Sequence, residues 1–300
     1  MSEVKHSDEK KVLVNNLEIA YDTFGEKNNP PILLIMGLAN QLILWDERFC
    51  QALASAGFYV IRFDNRDIGL SSKLDDKPVP DILQLMQDLM ARKPVDVPYK
   101  LTDMAKDTIG LLDQLGIESA HVVGISMGGM IAQTIAIEHP ERVKTLTSMA
   151  STTSNPTLPQ PSPEIQALLT PPPANNREEA IENSIKTFKI LNGPVYQFNE
   201  DGYRKVFSKA YDRNYYPVGP LRQLAAILGS GSRNKQLRNV QIKTLVIHGD
   251  EDPLISVQAG EDTAKEISGS KLVIIKGMGH TIATEVAPQV ISAILEHVKT

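Results

Sequence analysis

Leu17, Ile19 and Tyr21 alternate with Glu18, Ala20 and Asp22, a period of two that predicts a half-exposed β-strand. Residues 12–14, just ahead of Asn15-Asn16, supply its hairpin partner. Downstream the alternation gives way to short, mostly apolar runs at 31–36, 58–61, 120–123, 143–146, 244–247 and 272–275. Runs of this kind suit central parallel strands, which are covered on both faces. Helical patterns lie between them, at 47–56, 130–138, 257–267 and 286–298. In another, Leu101, Met104, Ala105, Ile109, Leu112 and Leu115 share one face and Gly116 ends the helix. Strands alternating with helices behind an antiparallel hairpin predict an α/β fold with a mostly parallel, doubly wound sheet.

One segment breaks the rhythm. Residues 152–241 hold no clear strand, and 155–173 contains seven prolines. After the prolines, 178–191, 201–212 and 221–228 carry helical patterns with too many apolar residues for a linker. The expected organisation is a core domain made of 1–151 and 242–300, with 152–241 as a helical cap (lid) inserted between two strands. The apolar faces of the cap should roof the carboxyl ends of the strands, where sites form in sheets of this type.

Composition narrows the field. The chain has 300 residues, a net charge of −5 and no Lys/Arg-rich run, which argues against nucleic acid or an anionic membrane as partner. The longest apolar runs are far shorter than a membrane span, and residues 1–11 are polar with no apolar core, unlike a signal peptide. A cytoplasmic location is the expectation. The sole cysteine, Cys50, sits in a helical stretch and should be a buried, inert thiol. No Cys/His cluster has metal-ligand spacing, so no metal and no cofactor are expected.

The chemistry concentrates in Gly124-Ile125-Ser126-Met127-Gly128, set between the apolar run 120–123 and a helical stretch. A serine on a tight strand-to-helix turn has its hydroxyl pushed clear of the sheet, beside the free N–H groups of a helix start. Its hydroxyl needs a base, best a histidine held by a carboxylate. Of six histidines, His280 follows the last apolar run in the flexible Gly277-Met278-Gly279-His280 and is the expected base. Three acids follow the 244–247 strand in His248-Gly249-Asp250-Glu251-Asp252-Pro253. Asp252 is favoured: it precedes a proline, which biases it to extended backbone, and it lies far enough past the strand to reach a neighbouring loop. Asp250 is expected to bond its own backbone and Glu251 to be solvated. Asp64-Asn65-Arg66-Asp67 is expected to form an internally hydrogen-bonded turn rather than a metal site.

Taken together, these segments resemble the α/β-hydrolase superfamily, and within it the aclacinomycin methylesterase-type group of bacterial esterases. The resemblance is carried by Leu34-Ile35-Met36-Gly37 ahead of Trp45, Asp64-Asn65-Arg66-Asp67-Ile68-Gly69, Gly124 to Gly129, His139-Pro140-Glu141-Arg142-Val143, His248 to Pro253 and Gly279-His280. It implies an α/β-hydrolase fold with Ser126 as nucleophile, His280 as base and Asp252 as its orienter. It also implies an oxyanion hole formed by the main-chain N–H groups of Leu38 and Met127. Trp45 is expected to wall the substrate pocket.

The resulting expectation is a cofactor-independent serine carboxylesterase acting on short- to medium-chain carboxylic esters, small dissolved molecules, as a monomer or homodimer. Two other readings share the same residues. One is a cofactor-free haloperoxidase or perhydrolase, which uses the same triad with hydrogen peroxide in place of water. The other is a non-catalytic small-molecule receptor on a hydrolase fold, which a complete triad argues against.

Overall fold

The computed structural model describes residues 4–299; residues 1–3 of the polar N-terminal stretch, and residue 300, lie outside the described part. Among the described residues eight strands form one sheet: β1 (Lys10–Val14), β2 (Leu17–Phe24), β3 (Pro31–Ile35), β4 (Tyr59–Phe63), β5 (Ala120–Ile125), β6 (Val143–Met149), β7 (Thr244–Gly249) and β8 (Lys271–Ile275). Their order is β1-β2-β4-β3-β5-β6-β7-β8. β1 and β2 are antiparallel and β2 is antiparallel to β4; every pairing from β4 onward is parallel. Asn15 and Asn16 close the first hairpin with φ of 50° and 66°, the left-handed pair that a two-residue turn between right-twisted strands requires.

The helices are α1 (Glu47–Ser55), α2 (Ile82–Met90), α3 (Leu101–Leu115), α4 (Met127–Glu138), α5 (Pro163–Ala167), α6 (Arg177–Leu191), α7 (Glu200–Arg213), α8 (Gly219–Ser230), α9 (Asn234–Leu237), α10 (Val257–Glu266) and α11 (Ala287–Lys299). α3 and α4 pack with one face of the sheet, through Leu33, Ile35, Ile61 and Val122. α1 and α11 cover the other through Ile32, Leu34, Val60, Val123 and Ile247. The mid-sheet residues from Ile32 to Ile35 have no solvent exposure, as two-sided cover demands.

Three expectations change. β2 is buried on both faces from Ile19 onward instead of half-exposed, because Asp22 faces Arg62 across the register with β4 and the two form a buried ion pair at 2.7 Å. Its polar side chain therefore marks a charge pair and not a solvent face. β8 closes the sheet as an edge strand, leaving Ile274 exposed. α4 begins at Met127, one turn before the expected start. α2 was not foreseen at all; it packs on α8.

Between β6 and β7 lie α5 to α9. α6 and α7 pair around Ile181, Ile185 and Phe207, a small apolar cluster of their own, with Tyr203 stacked on Phe207 and Phe188 meeting it edge-on. Polar clamps tie this segment to the loops after β3 and β4. Arg222 on α8 bonds both carboxylate oxygens of Asp67 at 3.0 Å. Arg213 on α7 reaches Asp64 at 3.0 Å, and the side-chain amide of Gln41 donates to the carbonyls of Ala210 and Asn214.

Candidate active site

Ser126 stands at the junction of β5 and α4 with φ 56° and ψ −122°. A residue with a Cβ is strained there, by about 1–3 kcal/mol for such backbone. The surroundings hold it: the Ser126 N–H donates to the Met149 carbonyl at the end of β6, and the Ser126 carbonyl accepts from Gly129, Met130 and the Ser151 hydroxyl. The glycines either side have a steric reason. A Cβ on Gly124 would lie 2.1 Å from the Gly128 carbonyl oxygen, and one on Gly128 would lie 2.0 Å from the Ile35 carbonyl oxygen. Only bare backbone lets α4 start so close to the ends of β3 and β5.

His280 Nε2 lies 3.0 Å from Ser126 Oγ, and its Nδ1 lies 2.7 Å from Asp252 Oδ2. The other Asp252 oxygen accepts the N–H groups of Leu254 and Ile255, both at 2.9 Å, which aims the carboxylate at the imidazole. Burial pushes the Asp252 carboxyl up, but the charge of His280 and the hydrogen bonds of His248 and His280 outweigh it and hold the group well below the usual carboxylate range. His280 is fixed from the far side as well: its N–H donates to the Leu191 carbonyl at the end of α6 at 2.7 Å.

The loop after β3 passes against the serine. A Cβ on Gly37 would lie 3.1 Å from Ser126 Cβ and 3.7 Å from Oγ. Leu38 follows directly. Neither its N–H nor that of Met127, the first residue of α4, is taken by another group among the described residues. Two main-chain donors close to the serine in the chain and the fold are thus left unengaged.

The serine opens into a cavity of about 890 Å³. Its walls come from Met36 to Gln41, Trp45, Met86 and Leu89 of α2, the proline-rich stretch at Pro156, Pro159, Pro161 and 171–173, and α6, α7 and α8 through Ile181, Phe188, Tyr203, Tyr211, Leu221 and Leu224. Trp45 does both things a tryptophan can do here: it lines the cavity and packs on Phe49 in the core with 1% exposure. Cys50 is buried, and burial pushes its thiol up to about 12, far from a thiolate.

Several sequence expectations are corrected. Asp250 does not bond its own backbone; it accepts the Gly277 N–H at 2.5 Å and so braces the loop that carries His280. The Asp64 to Asp67 turn is structural, but most of its bonds run outward: Asp64 to Leu42, Leu70 and Arg213, Asn65 to the Met36 carbonyl, Arg66 to Asp107 and Asp67 to Arg222. His248 lies near the end of β7, beside Asp252. It is fully buried with Nε2 3.5 Å from Asp252 and 2.8 Å from the Ile255 carbonyl; its four-residue spacing from Asp252 was the available signal. Among the described residues no group of three or more His, Cys, Asp or Glu side chains is arranged to hold a metal ion, and no helix is long and apolar enough to cross a membrane.

Sheet order, elbow and site define an α/β-hydrolase-fold protein, and the family comparison agrees: residues 30–285 match the α/β-hydrolase fold family, to which this chain belongs. Among curated proteins it is similar to rhodomycin D methylesterase DnrP of Streptomyces peucetius, at 28% identity over 96% of this chain and 97% of the relative. It is also similar to rhodomycin D methylesterase DauP of Streptomyces sp. strain C5, at 28% identity over 92% and 93%. The resemblance to methylesterases of this group is thereby shown. Among solved structures, 2-hydroxy-6-oxo-6-phenylhexa-2,4-dienoate hydrolase from Rhodococcus sp. strain RHA1 superposes with a TM-score of 0.77 at 19% identity, covering 99% of this chain and all of that one.

Proposed function

We propose that the protein is a serine carboxylesterase in which Ser126, His280 and Asp252 form the catalytic triad. The observation that carries this reading is the imidazole of His280 bridging Ser126 Oγ at 3.0 Å and Asp252 at 2.7 Å. Ser126 Oγ attacks the ester carbonyl while His280 Nε2 takes its proton; Asp252 holds Nδ1–H and stabilises the imidazolium. The Leu38 and Met127 N–H groups receive the negative charge on the carbonyl oxygen. His280 then returns the proton to the departing alcohol, and water activated by the same nitrogen frees the acyl-enzyme.

Residues 152–241 act in this reading as a cap. They supply much of the apolar cavity wall, so the acyl part of the substrate rests under α6 to α8. A cavity of this size suits a drug-sized molecule, and methylesterases among the relatives point to a small alcohol as the leaving group. Dissolved short- to medium-chain esters are the proposed substrates, with room for a bulkier apolar acid.

The test is a purified Ser126→Ala variant assayed on chromogenic esters from acetate to palmitate. Activity should drop to below about a hundredth of wild type with the fold unchanged, and a serine-directed phosphonate should label Ser126 alone in the wild type. Retention of more than a few per cent of activity sinks the assignment. A kcat/KM maximum at long chains, with a jump once the substrate forms an emulsion, would show a lipase instead.

A further inference from the structure

Gln223 on α8 has no solvent exposure and spans two loops of the sheet. Its Oε1 accepts the N–H of Ala39 at 3.0 Å, and its Nε2 donates to the Arg66 carbonyl at 2.8 Å. Ala39 sits in the left-handed region with φ 64°, a conformation its Cβ disfavours and which needs outside support. The residue before it is Leu38. On the near side of Leu38, Asn65 Nδ2 holds the Met36 carbonyl at 3.0 Å; the Leu38 carbonyl itself is held by Asn40 Nδ2 at 2.8 Å. The backbone is thus pinned around one N–H that is left unengaged, that of Leu38.

We propose that Gln223 is a positioning residue for the oxyanion hole, setting the direction of the Leu38 N–H from within the helical segment between β6 and β7. The proposal rests on the esterase reading above. Asn65 and Asn40 act from the sheet side; Gln223 acts from the inserted segment, so the hole is completed only when α8 is seated. An oxyanion donor must lie within about 0.2 Å of a 2.9 Å contact to the charged oxygen, and a misplacement near 1 Å costs about a hundredfold in rate. Loss of the Gln223 bridge frees the Ala39 peptide to leave its strained conformation and turn the neighbouring Leu38 N–H away.

The experiment uses the full chain with Gln223→Met, which keeps the volume and removes both hydrogen bonds, and Gln223→Glu. kcat and KM are measured on a chromogenic acetate, together with the affinity of an aryl boronic acid, whose tetrahedral serine adduct places an oxygen where the oxyanion forms. For Gln223→Met, kcat should fall about 10- to 100-fold with KM within about threefold, and the boronic acid should weaken by a similar factor. In Gln223→Glu, only the protonated acid can both accept from Ala39 and donate to the Arg66 carbonyl. Burial favours that neutral form, so the ratio of variant to wild-type kcat should climb as pH is lowered from about 8 to about 5.5. If Gln223→Met does not fold, the Glu variant carries the test alone. Wild-type kcat and boronate affinity in Gln223→Met, a loss confined to KM, or a pH-independent ratio for Gln223→Glu would each overturn the proposal while phosphonate labelling of Ser126 leaves the esterase reading standing. Absence of that labelling in the wild type overturns both.

Discussion

The sheet and the helical segment at 152–241 are held in place by different forces. The sheet is an apolar sandwich: its central residues, such as Leu33, Leu34 and Ile35, are wholly buried between α3 and α4 on one side and α1 and α11 on the other. Each such side chain contributes roughly 1.5–3 kcal/mol by burial. The inserted segment has a small apolar cluster around Ile181, Ile185 and Phe207, and it meets the loops of the sheet through buried polar clamps at Arg222–Asp67, Arg213–Asp64 and Gln223. Apolar burial is non-directional, whereas a hydrogen-bonded ion pair fixes both distance and angle. The sheet is therefore held mainly by apolar burial and carries Ser126, Asp252 and His280 on the loops at its strand ends, and the insertion supplies geometric restraint on neighbouring loops.

The largest expected effect separates chemistry from support within one loop. Asp252→Asn should lower kcat by about 10³- to 10⁴-fold, because the amide cannot hold the imidazole in the right tautomer or stabilise its charged form. Asp250→Asn should cost far less: it weakens a brace to Gly277 and touches no reacting atom. Steady-state kinetics at matched thermal stability decide it. An Asp250 variant worse than the Asp252 variant would reverse the roles of the two acids.

The second prediction concerns the clamps. Arg222 and Asp67 have side chains 1% and 0% exposed, so Arg222→Met strands a buried carboxylate. Such a break costs about 3–5 kcal/mol. Adding Asp67→Asn to Arg222→Met should recover most of the loss, since the stranded charge and not the lost attraction dominates. Arg177→Met, at a clamp exposed at both ends, should cost less than about 1 kcal/mol. Denaturant unfolding of the four proteins measures this. Equal losses for the Arg222 and Arg177 variants would remove the distinction between directional clamps and ordinary surface pairs.

The contrast also explains which parts were legible in the sequence. Central strands such as β3 and β5 announce themselves because covering both faces leaves a run that does not alternate with polar residues. Ser126, Asp252 and His280 stand out because tight turns, glycines and chain order constrain them locally. Asp22 misled because a polar residue in a strand gives the same alternation whether it faces water or, as here, Arg62. Gln223, Arg222 and Asp250 carried no signal, since each is defined by a partner far along the chain: Ala39, Asp67 and Gly277. α2 escaped because its exposed Leu83 and Met90 blur the helical pattern of buried positions. Local pattern reveals elements and the serine turn; restraint between distant segments is invisible to it.

The smallest predicted effect returns to the sheet and to pH. His121, at the start of β5, is buried, bonds Thr145 Oγ1 at 2.9 Å and meets Phe58 edge-on. Burial, then the nearby charges of Lys144 and His297, lower its pKa to about 4 from the ordinary 6.5. An unfolded chain takes up a proton on this residue below pH 6.5, whereas the folded protein does so only near pH 4, so the unfolded state binds more protons across that window. The contribution of His121 to stability is thus complete above pH 6.5 and is lost progressively as pH falls towards 4. With allowance for solvent screening of a group that is not deep in the core, the loss by pH 5 is on the order of 1 kcal/mol. His121→Gln keeps a hydrogen-bonding partner for Thr145 and cannot titrate. Its Tm should fall less than that of wild type between pH 7 and pH 5, by about 1–2 °C for a chain of this size. The two proteins differ only at His121 on β5, so the difference between their curves reports on the sheet. Parallel Tm curves for the two proteins across this interval would show that acid sensitivity resides elsewhere.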